Sequence, residues 1–239
     1  MYSADRRRLE RNGHLLIDRL AVLASAMSEK TDLIGALNWR YATKEFDAGK
    51  ALPTETMERL LVVLRLSASS FGLQPWKFVV VEDREKREPL VEHSWGQRQV
   101  VDSSALIVMC RPTEFGEADI DRFLESTAST RGVDLESLAE YGGMMKGFIG
   151  RLDAATQADW MSRQIYLALG NLMTACAIEK VDSCPMEGFS AVEYDRILGL
   201  ADLGLTSVVL CPVGYRAAGD KYASLAKVRY SADEVIVRL

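Results

Sequence analysis

Lys227 and Arg229 are separated by one residue in the stretch LAKVR. On extended backbone successive side chains alternate, so both cations reach one side and together suit an anion. Three other stretches carry side chains that could do chemistry: RYATKEF from Arg40 to Phe46, SASSFGLQPWKF from Ser67 to Phe78, and CPMEGF from Cys184 to Phe189. Taken singly, each has an ordinary reading. Basic side chains beside aromatics often snorkel on a surface turn, Pro75 suits the entry to a strand, and a Pro-x-Glu-Gly string can be a plain turn. Lys-x-Arg is commonly a solvated face. Other chemistries are argued against by what the chain lacks. Its only histidines are His14 and His93 and it has no CxxC, which disfavours a zinc site or a Cys/His pair. No GxGxxG, GxxxxGK[ST] or GxSxG string occurs.

The elements that must position these residues follow from periodicity. Helices are predicted over about 32–41, with Asp32 as N-cap, and over 53–66, where Pro53 and Thr54 open a leucine stripe. Strands are predicted at Trp76–Val81, Ala105–Cys110 and Thr206–Pro212, the last two apolar throughout, as for strands buried on both faces. Between them lie helical stretches over 117–130, over 134–152 with a Gly-Gly break at 142–143, and over 158–180. The last is apolar nearly all round and is expected to be central or shared between subunits.

With 239 residues and 48% apolar composition, a packed core is within reach and global disorder is excluded. A net charge of −5 disfavours a nucleic-acid-coating protein. Cys110, Cys176 and Cys211 sit in apolar runs; with Cys184, the expectation is four reduced thiols and a cytoplasmic protein. No run is long enough for a transmembrane helix. Residues 1–30 read as a helical extension outside the domain, or as sequence upstream of a start at Met27; Asp18 and Arg19 break any signal-peptide core.

In order and separation, the four stretches together resemble the FMN-dependent nitroreductase family, especially its oxygen-insensitive NAD(P)H nitroreductase and dihydropteridine reductase branch. The resemblance spans residues 31–239 and includes the helix WMSRQIYLALGNLM. It implies an α+β (mixed α/β) fold, a three-layer α-β-α sandwich around a mixed, mostly antiparallel sheet. It also implies an FMN-dependent oxidoreductase that passes two electrons from NAD(P)H to nitroaromatic, quinone or similar small acceptors by a ping-pong mechanism. The alternatives are a reductase of a pteridine, enone, aldehyde or free flavin, and a flavin-binding protein without turnover. A homodimer with shared active sites is implied too, the Ser69–Ser70 loop reaching the partner's flavin, with no nucleic-acid or membrane partner.

Residue by residue, the resemblance assigns cofactor binding to Arg40, Tyr41, Ala42, Lys44, Ala68, Ser69, Ser70, Gly72, Gln97, Gln99, Pro185, Met186, Glu187, Gly188, Lys227 and Arg229. Arg40 joins Lys227 and Arg229 around the phosphate. Lys44 takes the pyrimidine edge of the ring, where fixed positive charge favours the reduced cofactor. The backbone of Glu187 and Gly188 approaches N5, the hydride-accepting atom, and no protein side chain is assigned a catalytic role. Gly188 suits that place because glycine admits a close backbone approach. Ala42 stands where the family often has serine, and Gln99 where some relatives have lysine. Phe71, Tyr141, Met144, Met145 and Phe148 are expected to line the substrate pocket.

Overall fold

A computed structural model describes residues 32–239. The expected N-terminal extension lies outside the described residues. Nine α-helical segments occur among the described residues: α1 (Leu33–Trp39), α2 (Thr54–Arg65), α3 (Arg84–Arg87), α4 (Gln99–Asp102), α5 (Glu117–Arg131), α6 (Ala139–Ile149), α7 (Ala154–Ile178), α8 (Ala191–Ile197) and α9 (Ala232–Val235). They surround strands β1 (Lys77–Val81), β2 (Ala105–Pro112), β3 (Asp182–Ser183) and β4 (Leu205–Gly214), ordered β1-β2-β4-β3 and all antiparallel. A single parallel bridge, Ala42 to Ser183, joins the Arg40–Phe46 segment to the sheet edge.

Strand alternation builds the three layers. Ala105, Ile107 and Met109 of β2, with Val209, Cys211 and Val213 of β4, face Leu60 and Leu64 of α2 and Ile165, Leu169 and Leu172 of α7. Leu106, Val108 and Cys110 point the other way, onto Leu90, Val100 and Tyr194. Both strands are therefore covered on two faces, as their unbroken apolar runs predict. A third cluster packs Ile120 and Leu124 of α5 and Met145 and Ile149 of α6 against Trp160 and Met161 of α7.

One local expectation holds and four are corrected. Asp32 does cap α1, accepting from Gly35 N at 2.8 Å. Pro53, however, is the residue before α2, and Thr54 makes no capping bond. Helix α7 begins at Ala154, earlier than its apolar pattern suggests, because the Asp153 carboxylate caps it through Thr156 N at 2.8 Å. Its surface is not apolar-buried all round: Trp160, Ile165, Leu169 and Leu172 are buried, while Tyr166 and Leu167 are exposed. The Gly142-Gly143 pair does not break α6. Gly142 is buried, and a Cβ there would meet Leu124 Cδ1 at 2.6 Å. Glycine thus lets α6 lie close on α5 while the helical hydrogen bonds continue.

Candidate functional site

The Arg40–Phe46 segment runs extended beside β3 and the end of β4, pairing at Ala42 with Ser183 and at Phe46 with Arg216. Its side chains alternate, and the two faces have different fates. Tyr41 and Thr43 turn to a locked face. There Asp182, buried within the fold, accepts from Thr43 Oγ1 at 3.3 Å and pairs with the Arg216 guanidinium at 2.6 Å. Arg216 lies between the Trp39 and Tyr41 rings, 4.3 and 4.5 Å from their centroids. Asp220, also buried, accepts from Tyr41 Oη, Lys44 N and Glu45 N on one oxygen and Tyr222 N on the other, at 2.8–3.2 Å. Burial opposes ionisation of Asp220, but these donors hold its carboxyl below the ordinary range. Burial, then the Asp220 hydrogen bond, pushes the Tyr41 hydroxyl up to about 12. A cavity of about 380 Å³, lined by Trp39, Lys50, Lys180, Asp182, Tyr215 and Arg216, opens on this locked side and not beside the assigned cations.

Arg40 and Lys44 turn to the other face. Arg40 Nη2 touches Met173 Sδ at 3.7 Å, and its buried Nε finds no hydrogen-bond acceptor among the described residues. Lys44 Nζ lies 3.8 Å from Cys184 Sγ. The Cys184 thiol is pushed up by burial and drawn back by Lys44. Lys227 arrives from the C-terminal stretch and donates to the carbonyls of Leu37, at 2.7 Å, and Arg40. Its ammonium thus sits on the carbonyl end of α1, where a cation is favoured. Burial, and then the Arg40 and Arg229 guanidinium groups, lower its pKa. The structure therefore brings Arg40, Lys227 and Arg229 near one another. None of the three, nor Lys44, forms an ion pair among the described residues. Arg229 Nη1 meets only the neighbouring Val228 carbonyl, at 2.6 Å.

The Cys184–Gly188 turn is fixed by its backbone. Met186 N donates to Leu210 O at 2.9 Å and Met186 O accepts from Leu210 N at 3.0 Å. The Met186 side chain is buried in the second core cluster, so this residue is a structural anchor and does not present itself to a ligand. Gly188 also leaves room for a neighbouring side chain. A Cβ there would lie 2.6 Å from the Trp95 ring, and Gln97 Nε2 donates to Gly188 O at 3.2 Å. Trp95 itself is 78% exposed and left-handed, with φ 57°. Gln97 thus reaches the turn. Gln99 is buried in the first turn of α4.

The Ser67–Trp76 loop hangs on α7. Ser70 N donates to Gln164 Oε1 at 2.8 Å and Asn171 Nδ2 to Ser67 Oγ at 3.1 Å. Phe71, Gly72 and Gln74 all have positive φ, a cramped path held by these bonds and by Ser69 Oγ, which accepts from Gln74 N. Tyr141 Oη donates to Phe71 O at 3.2 Å, and the Phe71 and Phe148 rings meet edge-on at 5.3 Å. Phe71, Tyr141 and Phe148 are thus brought together along one wall. Met145 does not line it; its side chain is fully buried in the third cluster, while Met144 projects to solvent.

Sequence reasoning missed Asp182, Arg216, Asp220 and Gln164. Each is an isolated polar residue whose partner lies far along the chain, and no periodicity marks such a residue.

The family model described as "Nitroreductase family" matches residues 37–215. Among curated proteins, the nitroreductase-type protein YfkO of Bacillus subtilis (strain 168) is 37% identical over 218 residues, covering 87% of this chain and 97% of its own. The oxygen-insensitive NAD(P)H nitroreductase of Enterobacter cloacae is 30% identical over 213 residues, covering 86% and 98%. Among solved structures, an FMN complex of a nitroreductase-type protein from Exiguobacterium sibiricum superposes with TM-score 0.73 at 21% identity, covering 89% of this chain and 99% of that one.

Proposed function

This chain belongs to the nitroreductase family, and from that premise we propose a two-electron reductase of nitroaromatics, quinones or similar small acceptors that takes donor and acceptor in turn at one site. The coarser activity is an FMN-dependent NAD(P)H oxidoreductase. The observation that carries the site is a set of donors without acceptors. Three gathered cations lack a counter-anion, the buried Arg40 Nε is unpaired, and the N–H groups of Glu187 and Gly188 meet no acceptor among the described residues. A ligand with a phosphate at one end and hydrogen-bond acceptors on a flat ring fits that donor set.

FMN, when bound, supplies the hydride chemistry in both half-reactions. Arg40, Lys227 and Arg229 hold its phosphate. Lys44, tied by its backbone to Asp220, keeps a fixed positive charge at the ring's edge, where accumulating negative charge is favoured. The amides of Glu187 and Gly188 orient the ring, with Gln97 bracing Gly188 from behind. Phe71, Tyr141 and Phe148 give the acceptor an apolar wall. Ser69, Ser70, Gln99, Ala42, Ala68, Gly72 and Pro185 keep the cofactor-side roles that the family pattern implies. Tyr41 and Met186 act from behind, as anchors.

The proposed assembly is a homodimer with shared sites. It is supported by Leu167 of α7, 55% exposed, and by Val228, Tyr230 and Val237 in the C-terminal stretch, each about four-fifths exposed. No helix among the described residues is long and apolar enough to cross a membrane. The four cysteines are free and buried, which supports a cytoplasmic location.

The test is direct. Purified protein is expected to be yellow or to turn yellow with added FMN, and to oxidise NADH or NADPH over many turnovers with a nitroaromatic or quinone. Protein that stays colourless with FMN rules the reading out. Slow oxidation by yellow protein leaves only flavin storage. Monomers with full turnover refute the shared site.

A further inference from the structure

The Cys184–Ser190 turn accounts for nearly all its own main-chain donors. Cys184 N donates to Pro212 O, Met186 N to Leu210 O, Phe189 N to Glu187 O and Ser190 N to His93 O, and Pro185 has no N–H. Only Glu187 and Gly188 keep free N–H groups among the described residues. Their direction depends on the peptide between Met186 and Gly188. Met186 is pinned by its pairing with Leu210 and Gly188 O by Gln97. Glu187 between them is exposed, and its main chain is tied only by the short Phe189 N–H to Glu187 O turn. What holds its side chain is Tyr166 of α7, whose hydroxyl donates to Glu187 Oε1 at 2.5 Å.

We infer that Tyr166 is a positioning residue, a latch that fixes the Glu187 carboxylate so that the Glu187 and Gly188 amides stay aimed at the bound flavin. The inference rests on the flavin reading above. Released, an exposed carboxylate samples several rotamers, and some bring its charge and acceptor oxygens toward the two neighbouring N–H groups. The latch works throughout neutral pH. Burial, and then the Glu187 hydrogen bond, pushes the Tyr166 hydroxyl up to about 12, so it remains a donor. The same helix holds the Ser67–Trp76 loop through Gln164 and Asn171. Helix α7 therefore sets the position of both loops of the site from one rigid element.

The experiment measures the FMN dissociation constant and the midpoint potential of bound FMN. The proteins are the wild type, Tyr166→Phe, Glu187→Ala, the double variant and Glu187→Gln. Each single loss should weaken FMN about threefold to tenfold, as for a hydrogen bond to a charged group that is partly in water. The double variant should be no worse than the worse single, because both remove one interaction. Glu187→Gln keeps an acceptor oxygen and should recover most of the affinity that Glu187→Ala loses. Donors aimed at a ring acceptor favour the oxidised cofactor, so Tyr166→Phe should raise the potential. A tenfold loss confined to the oxidised form corresponds to about 30 mV. Glu187 is exposed, so Glu187→Ala tests the latch even if Tyr166→Phe folds poorly. Wild-type affinity and potential in Tyr166→Phe, or additive losses in the double variant, overturn the latch and leave the flavin reading standing. Wild-type protein that takes up no FMN overturns both.

Discussion

At one edge of the site Arg40, Lys44, Lys227 and Arg229 stand without a carboxylate among the described residues, and the buried Arg40 Nε has no acceptor. At the other edge Phe71, Tyr141 and Phe148 close on one another, with the Tyr141 hydroxyl and the Ser70 amide already paired. The charged edge is electrostatically incomplete: like charges are brought together and only an anion offsets them. The aromatic edge is complete as it stands. Binding energy for a charged cofactor should thus concentrate at the first edge, and changes at the second should be felt in stability and acceptor fit.

The largest expected effect strikes the support of the charged edge. Asp220→Ala leaves donors from Tyr41, Lys44, Glu45 and Tyr222 without their acceptor. It should cost at least about 3 kcal/mol of unfolding free energy in urea titration. Because the folded carboxyl sits below its ordinary value, its stabilising contribution is complete above that ordinary value. It is lost as pH falls through the lower folded value. Asp220→Asn should flatten that acid limb.

The next effect separates adjacent residues at the aromatic edge. Met145→Ala opens a cavity in the third cluster and should cost about 3 kcal/mol, whereas Met144→Ala, at a 53% exposed position, should stay within about 0.5 kcal/mol. Equal losses would show that both methionines pack.

Arg40→Ala should leave folding stability near wild type, since it relieves repulsion. FMN affinity should fall by about 2 kcal/mol, read by fluorescence quenching. Unchanged affinity would remove the contrast between the edges.

The smallest pair tests why α6 carries two adjacent glycines. Gly143 has open space at its Cβ and Gly142 has Leu124. Gly143→Ala should stabilise by about 0.5–1 kcal/mol, through helix propensity, and Gly142→Ala should destabilise by about 1 kcal/mol. Thermal melts decide the signs.

Much of the fold was legible. β2 and β4 announce themselves as apolar runs because both faces are covered, α2 by its leucine stripe and α7 by its long apolar stretch. The two-residue strand β3 was not legible, since so short a piece has no period and exists only through its pairing with β4. The Gly142-Gly143 pair misled because a glycine in a helix reads as a break until the neighbouring Leu124 is placed beside it.

The sequence by itself determined which side chains could do the chemistry. The cations at Arg40, Lys44, Lys227 and Arg229 and the aromatics Phe71, Tyr141 and Phe148 are local in identity, and the order of the four stretches 40–46, 67–78, 184–189 and 225–229 carries the family resemblance. Only the tertiary structure decided which face of the Arg40–Phe46 segment is committed. Alternation splits that segment into two faces, but it cannot say which one meets Asp182, Arg216 and Asp220. Those partners lie more than a hundred residues downstream, and the choice is made where β3 and β4 bring them against Tyr41 and Thr43. Once that face is locked, Arg40 and Lys44 are left on the other, with no carboxylate partner among the described residues.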